Sequence, residues 1–528
     1  MSAQPAARGL ARAPLAEVRR DVTIAALLGA LMSVVFVHTW AWPLALACPA
    51  WLAWRVAAAS PRRAAALGFA FAAAWLAAGT WWLFISMHRY GGLAAPLAAL
   101  AVATLAALLA VYLALAMAAA ASWRSGRPLH DALLFAVLWL ATELARGLLF
   151  TGFPWVASGY AFIDSPLAAL APWVGVYGIG FIAAWLAALA AQLARAASGE
   201  RLQAVVALAG TAALVGAAAL GGPFSAPAGR MTVSLIQTDV AQDEKFSTLH
   251  LPQAMEWLAQ ALQQTRGELT IAPETAIPLL PAQLDPAYWQ RVASPFRDGR
   301  RAALIGLPLG SYEAGYTNSV AGLTLESAAL PGGFYRYDKQ HLVPFGEFVP
   351  YGFRWFVDMM NIPLGDFSRG PLAAPSFEMR QTEGTLQRIA PNICYEDLFG
   401  EELAVRFADA ASAPTVLANV SNIGWFGDTI AVAQHLNISR MRALEFERPM
   451  LRATNTGATA VIDHRGRAAA SLPPFTRGVL ESEVQGRSGA TPFARWAATF
   501  GLWPLIAMAA VVTASAALRS RRRNNAAP

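Results

Sequence analysis

A polytopic α-helical membrane domain of eight transmembrane helices, carrying an extracytoplasmic α/β domain ahead of its last helix, is the fold class that the sequence predicts. Three observations predict it. The 528 residues are 56% hydrophobic and only 14% charged, too apolar for a soluble chain and too long for one ordinary domain. Apolar runs at 22–38, 40–58, 64–88, 92–121, 130–150, 167–195, 202–222 and 494–518 each lie near or above the ~20 residues needed to cross hydrocarbon. Basic clusters fall after even numbers of crossings: Arg8, Arg12, Arg19 and Arg20; Arg62 and Arg63; Arg124 and Arg127; Arg195 and Arg201; Arg519, Arg521, Arg522 and Arg523. The positive-inside rule then puts both termini in the cytoplasm and everything between spans seven and eight outside.

In chain order, residues 1–222 hold spans one to seven, 223–491 the inserted domain, and 492–528 the last helix with a basic tail. Only His38-Thr39-Trp40 separates the first two runs, but merging them would strand Arg62 and Arg63 on the wrong side. Leu44-Ala45-Leu46-Ala47-Cys48 resembles a lipoprotein cleavage site but lies too far from Met1 for a signal peptide. Interfacial tryptophans read as aromatic belts. Glu143 and Arg146, three apart in span five, must pair with each other or face a protein interior. Gly152-Phe153-Pro154-Trp155 reads as a tight external loop.

Composition shifts at Gly222-Pro223. Strand-like runs (Thr232 to Gln237, Leu269 to Ala272, Ala302 to Leu307, Val416 to Val420, Ala458 to Ile462) alternate with helical stretches such as Leu251 to Arg266, whose Leu251, Met255, Leu258 and Leu262 share a face. That predicts an α/β domain large enough to bury its own core. Phe345 to Leu364 strings Phe348, Tyr351, Phe353, Trp355, Phe356, Met359 and Met360 among prolines and glycines, which suits an apolar loop against a membrane surface; a buried core loop is the alternative. The formal charge of +7 forms no dense stripe, so nucleic acid is not an expected partner.

Cys394 follows a β-prone run from Leu386 and precedes a helix-like run from Leu398 to Ala408, the kind of junction that displays a nucleophile. Cys48 lies in a predicted span, so Cys394 is a free thiol, to be read either as a small buried hydrophobe or as a nucleophile. Glu274 and Lys339 also end strand-like runs. A carboxylate can take a thiol's proton and an ammonium can hold an oxyanion, so the three together suffice for acyl chemistry. No Cys/His spacing suggests zinc.

Pro273-Glu274-Thr275-Ala276-Ile277-Pro278, the run from Lys339 to Pro350 (KQHLVPFGEFVP), Ile393-Cys394-Tyr395-Glu396, Trp425-Phe426-Gly427-Asp428 and Asn455-Thr456-Gly457 resemble the motifs of the bacterial apolipoprotein N-acyltransferases, membrane-embedded members of the nitrilase (carbon-nitrogen hydrolase) superfamily. The resemblance covers essentially the whole chain. It implies a periplasmic nitrilase-like α-β-β-α sandwich with Glu274 as general base, Lys339 as oxyanion stabiliser and Cys394 as nucleophile, in a cell inner membrane. It further implies ping-pong transfer of the sn-1 acyl chain of a phospholipid, phosphatidylethanolamine, through a thioester to the α-amine of a diacylglyceryl-apolipoprotein, without metal or organic cofactor. Glu347 matches a second carboxylate of the family, and Tyr395 and Glu396 match residues important to activity. Trp155, Trp425 and Asn455 are supporting or substrate-binding candidates. Phe246 stands where the family has a tryptophan, and Ile423 where it has a carboxylate. Alternative readings are a membrane-anchored nitrilase-like amidase that releases the acyl group to water, and a scaffold or transporter with an inactive domain.

Overall fold

The structure, a computed structural model, describes residues 15–195, 198–357, 359, 366–381 and 383–525. Arg8, Arg12, Met360 and the end of the apolar loop at Leu364 lie outside the described residues. The helical region comprises α1 (Leu15–Met32), α2 (Pro43–Val56), α3 (Pro61–Thr80), the single turn α4 (Leu83–Ile85), α5 (Ala95–Trp123), α6 (Pro128–Leu148), α7 (Ala171–Leu193) and α8 (Ser198–Leu220).

Two expectations about spans are met only in part. Among the described residues six helices, not eight, are long and apolar enough to cross a membrane, beginning at Pro61, Ala95, Pro128, Pro166, Gly199 and Trp503. The 18 residues of α1 include Glu17, Arg19, Arg20 and Asp21, and α2 has only 14. Those acids are used within the helical region: Glu17 meets Arg55 of α2 at 3.2 Å and Arg63 of α3 at 2.9 Å, and Asp21 also pairs with both arginines. The run 494–518 is likewise not one helix. Gly501, at φ 55°, divides it into α14 (Pro492–Phe500) and α15 (Trp503–Asn525), because Phe493, Ala494 and Ala497 pack into the α/β domain.

Glu143 and Arg146 pair at 3.5 Å. Glu143 also accepts from the Ser158 backbone N–H at 2.6 Å and its hydroxyl at 2.9 Å, while Arg146 donates to the Val156 carbonyl at 3.3 Å. The pair thus fixes the loop that carries Trp155.

Twelve strands form two six-stranded sheets: β1 (Ser225–Gln237), β2 (Leu269–Ile271), β3 (Ala302–Ser311), β4 (Gly315–Leu323) and β5 (Tyr335–Asp338) with β12 (Gly478–Gly489); and β6 (Phe377–Arg380), β7 (Leu386–Ile393), β8 (Val416–Ser421), β9 (Met450–Thr454), β10 (Ala460–Ile462) and β11 (Ala468–Ser471). Their orders are β12-β1-β2-β3-β4-β5 and β11-β10-β9-β8-β7-β6, with β1-β2-β3 and β7-β8-β9 parallel. Val233, Leu235, Ile271 and Leu304 of one sheet share a core with Ile389, Val416, Val420 and Leu451 of the other. Helices α9 (Leu251–Gln264) and α10 (Pro286–Ala293) cover the first sheet. The turn α11 (Arg354–Val357) lies in the apolar loop, and α12 (Gly400–Ala404), α13 (Ala431–Phe446) and α14 cover the second sheet. The layers therefore run α-β-β-α. The expected helix from Leu398 to Ala408 is broken into 3-10 turns on either side of α12.

Helix α13 joins the two regions. Its sequence is about half polar, yet it is largely buried, because its polar groups meet partners, and three of them find those partners in the helical region. Gln434 accepts from the indoles of Trp82 (3.0 Å) and Trp155 (2.8 Å) and donates to the Gly79 carbonyl at 3.0 Å. Asn437 donates to the Phe36 carbonyl at 3.0 Å, and Glu445 accepts from the Val176 N–H at 2.7 Å.

Removing one member of a buried ion pair leaves the other uncompensated. Glu143→Ala is expected to lower stability by about 3–5 kcal/mol, measured by chemical denaturation in detergent micelles, whereas an exposed control such as Glu313→Ala should change it little.

Candidate active site

The singled-out residues of the α/β domain gather at the carboxyl ends of its strands, the usual place for a site in such sheets. Glu274 follows β2, Lys339 follows β5, Cys394 follows β7 and Asn455 follows β9, and the structure adds Asn422 after β8. Each is held by a local device. Glu274 precedes Thr275 at φ 50°, and its main chain crosses β3 over Gly306, where any Cβ would lie 2.3 Å from the Pro273 carbonyl oxygen and 2.8 Å from Glu274 Cα. Only glycine permits that crossing. Cys394 itself holds φ 51°, a conformation that non-glycine residues keep only when their surroundings enforce it.

Lys339 is 1% exposed and its Nζ lies 2.9 Å from Glu347 Oε1 and 3.5 Å from Glu274 Oε1. Burial disfavours its ammonium, but Glu347 and Glu274, with the nearby Cys394 sulfur, outweigh burial and hold the proton on it above the ordinary range. Asn318 donates to both carboxylates at 2.7 Å. The second oxygen of Glu274 accepts from the Asn422 N–H at 2.7 Å, and that of Glu347 from the Val343 N–H at 2.8 Å. Two acids, one ammonium and one amide thus form a closed network beside the thiol.

Behind the thiol, Arg452 can only donate, so the 2.9 Å contact from its guanidinium makes His435 Nδ1 an acceptor. The imidazole proton then sits on Nε2 and is donated to the Cys394 carbonyl at 3.2 Å. Burial, reinforced by Arg452, holds His435 well below its usual range and keeps it neutral. Burial also pushes the Cys394 thiol up to about 12, with Glu274 and Glu347 adding to the rise and Lys339 opposing it.

The supporting candidates separate into groups. Glu347 lies in the network. Glu396 accepts from the Ile393 N–H (2.6 Å), the Gln340 N–H (2.7 Å) and the Tyr337 hydroxyl (2.7 Å), which ties the Lys339 segment to the Cys394 turn. Tyr395 donates to the Gly152 carbonyl of the helical region at 2.8 Å. Trp155 packs on His435, with centroids 5.3 Å apart. Asn455 is a clip between loops, bonded to Thr238, Val240 and Asn422. Trp425 meets Tyr90 edge-on at 5.9 Å, and Phe246 is half-buried beside Lys245. Ile423 packs with Val432 and Ala458 against Cys394, so an apolar wall stands at that position.

Asn318, Asn422, His435, Arg452 and Lys245 were not singled out in the sequence. Lys245 is buried, donates to the Glu274 carbonyl at 3.1 Å, and burial pulls its ammonium down to about 8. None carries a spacing signal, since each acts through long-range contacts. Only the excess of polar residues in Ala431–Phe446 could have pointed to His435. Among the described residues no group of His, Cys, Asp and Glu could hold a metal ion. The arrangement can activate a thiol and stabilise an oxyanion.

Residues 28–189 match the model of the apolipoprotein N-acyltransferase N-terminal domain, and residues 232–493 that of carbon-nitrogen hydrolases. An apolipoprotein N-acyltransferase of Verminephrobacter eiseniae is 53% identical over 87% of this chain and 89% of its own length. One of Ralstonia nicotianae is 44% identical over 97% of this chain and 96% of its own.

A thiol at about 12 holds little thiolate near neutrality. Alkylation of Cys394 by iodoacetamide in the substrate-free protein should therefore rise about tenfold per pH unit between pH 7 and 10 without a plateau. Glu274→Gln removes a neighbouring negative charge and should lower the thiol's pKa, which makes alkylation faster at every pH in that range. A plateau near pH 8 would contradict both statements.

Proposed function

The chain belongs to the apolipoprotein N-acyltransferase family, and from that premise we propose that it transfers a fatty acyl chain from a phospholipid to the N-terminal amine of diacylglyceryl-apolipoproteins. It is an acyltransferase of the nitrilase superfamily. As Cys394 Sγ attacks the sn-1 ester carbonyl, Glu274 takes its proton and the Lys339 ammonium meets the developing oxyanion. The tetrahedral adduct collapses, the ester C–O bond breaks, and the lysophospholipid oxygen leaves with the proton from Glu274. A thioester remains on Cys394. The α-amine of the acceptor's S-diacylglyceryl-cysteine then attacks that thioester, Glu274 takes the amine's proton, and the C–S bond breaks. An amide leaves, and the proton returns to sulfur. Glu347 keeps Lys339 charged and in place throughout.

The observation that carries this reading is the position of the turn after Cys394. Tyr395, Leu398 and Phe399 belong to the same buried cluster as the helical region, so the thiol sits where an apolar bundle can present a lipid ester. In this reading 1–222 is the membrane bundle, 223–491 the periplasmic catalytic domain and 492–528 the last helix with a cytoplasmic tail. Helices α1 and α2 bring the crossings to eight, in a bacterial inner membrane with both termini inside. Tyr351, Trp355 and Met359 are exposed, which favours the membrane-facing loop over the buried one. Phosphatidylethanolamine is the proposed donor. The apolar wall of Ile423, Val432 and Ala458 beside Cys394 limits the access of water to a thioester, which weighs against the amidase reading.

Incubation of the intact protein with phosphatidylethanolamine vesicles should add one acyl mass to the peptide containing Cys394, labile to hydroxylamine and discharged by a diacylglyceryl peptide. Cys394→Ser should abolish adduct and transfer. Free fatty acid without transfer would favour the amidase.

A further inference from the structure

Phe150, Thr151 and Gly152 have φ values of 55, 72 and 82°, and among the described residues no other three in a row are all left-handed. From within, the Gly152 N–H donates to the Leu149 carbonyl at 3.0 Å and the Phe153 N–H to the Arg146 carbonyl at 2.7 Å, but non-glycine residues keep such a conformation only when their surroundings enforce it. Two side chains of the catalytic domain hold it from outside. Tyr395, next to Cys394, donates to the Gly152 carbonyl at 2.8 Å, and His341, two residues after Lys339, lies with Nε2 2.9 Å from the Thr151 carbonyl.

The other ring nitrogen of His341 is 2.9 Å from Glu402 Oε1 of α12, and the ring stacks on Phe399 with centroids 3.5 Å apart. A carbonyl only accepts, so Nε2 carries a proton. A carboxylate also only accepts, so a second proton must lie in the Nδ1 to Oε1 contact. The remaining ionisable groups against the ring are Tyr395, at 5.7 Å between centroids, and Glu396, which accepts from the His341 backbone N–H at 3.3 Å.

We infer that His341 is a positioning residue: with Glu402 it forms a clasp that seats the strained bundle loop on the catalytic domain and so sets where Lys339 stands relative to the bundle. Both arms of the site then rest on one loop, the lysine through His341 and the nucleophile through Tyr395. The inference relies on the acyl-transfer reading for the role of Lys339, and it assigns His341 no contact with substrate.

Two measurements on the full-length protein in detergent test it. Hydrogen-deuterium exchange of residues 148–153 reads the clasp without any chemistry, and the single-turnover rate of Cys394 acylation from phosphatidylethanolamine reads its consequence. His341→Ala and Glu402→Ala are expected to speed exchange of the loop and to slow acylation by up to about 100-fold, the scale of a small misplacement, with the donor concentration for half-maximal rate unchanged. In Glu402→Gln the side-chain amide can donate to a neutral ring's Nδ1, so exchange and rate should return toward wild type. Unchanged exchange in His341→Ala, or a Glu402→Gln protein that behaves like Glu402→Ala, would overturn the clasp. Faster exchange with an unchanged acylation rate would overturn its positioning role. Should the wild-type protein form no adduct on Cys394, the acyl-transfer reading and the positioning role fall together, while loop exchange still decides whether the clasp exists.

Discussion

A lysine ammonium with almost no access to water is the constraint on which this structure depends. Taking such a charge out of water costs several kcal/mol, and Lys339 is tolerable only because Glu347 and Glu274 reach it at 2.9 and 3.5 Å. The carboxylates in turn need Lys339, Asn318 and two backbone N–H groups. No member can be moved without exposing the others to the same cost. The network therefore fixes the ends of β2, β4 and β5 relative to one another more tightly than apolar packing alone would.

Cys394 is the opposite case, because the pull of Lys339 and Arg452 toward its charged form is outweighed. Burial and two nearby acids hold the proton on sulfur, which keeps the thiol unreactive toward chance electrophiles. Ionisation becomes favourable only when a carbonyl is in place, since the charge then moves onto an oxygen that Lys339 can meet. His435 and Asn419, on the Cys394 carbonyl, hold the left-handed turn that presents the sulfur.

The polar face of α13 carries the site's dependence on the helical region. Its glutamine, asparagine and glutamate meet the indoles of Trp82 and Trp155 and the backbone of Gly79, Phe36 and Val176, so hydrogen bonds specify the interface alongside the apolar contacts of Ala431, Ile438 and Met441. Interfaces of that kind define one register, because a shifted arrangement would leave several buried polar groups unpaired. The register matters for acyl transfer, where a sulfur and a lipid ester must come to the same depth.

The sequence by itself determined the division into an apolar helical region and an α/β insert, and it singled out Glu274, Lys339 and Cys394 at strand ends. These signals are local: runs of apolar residues, strand ends and short motifs survive without knowledge of the partner. The edge strands β6, β11 and β12, the break at Gly501 and the shortness of α2 were not legible, because packing against distant elements decides them. Asn318, His435 and Arg452 were equally hidden, as their meaning lies in contacts between residues far apart in the chain. That Trp425 and Asn455 brace loops, while Glu347 and Glu396 brace the site itself, was decided only by the tertiary structure, since a motif records which residues occur and hydrogen-bond geometry decides what each can hold.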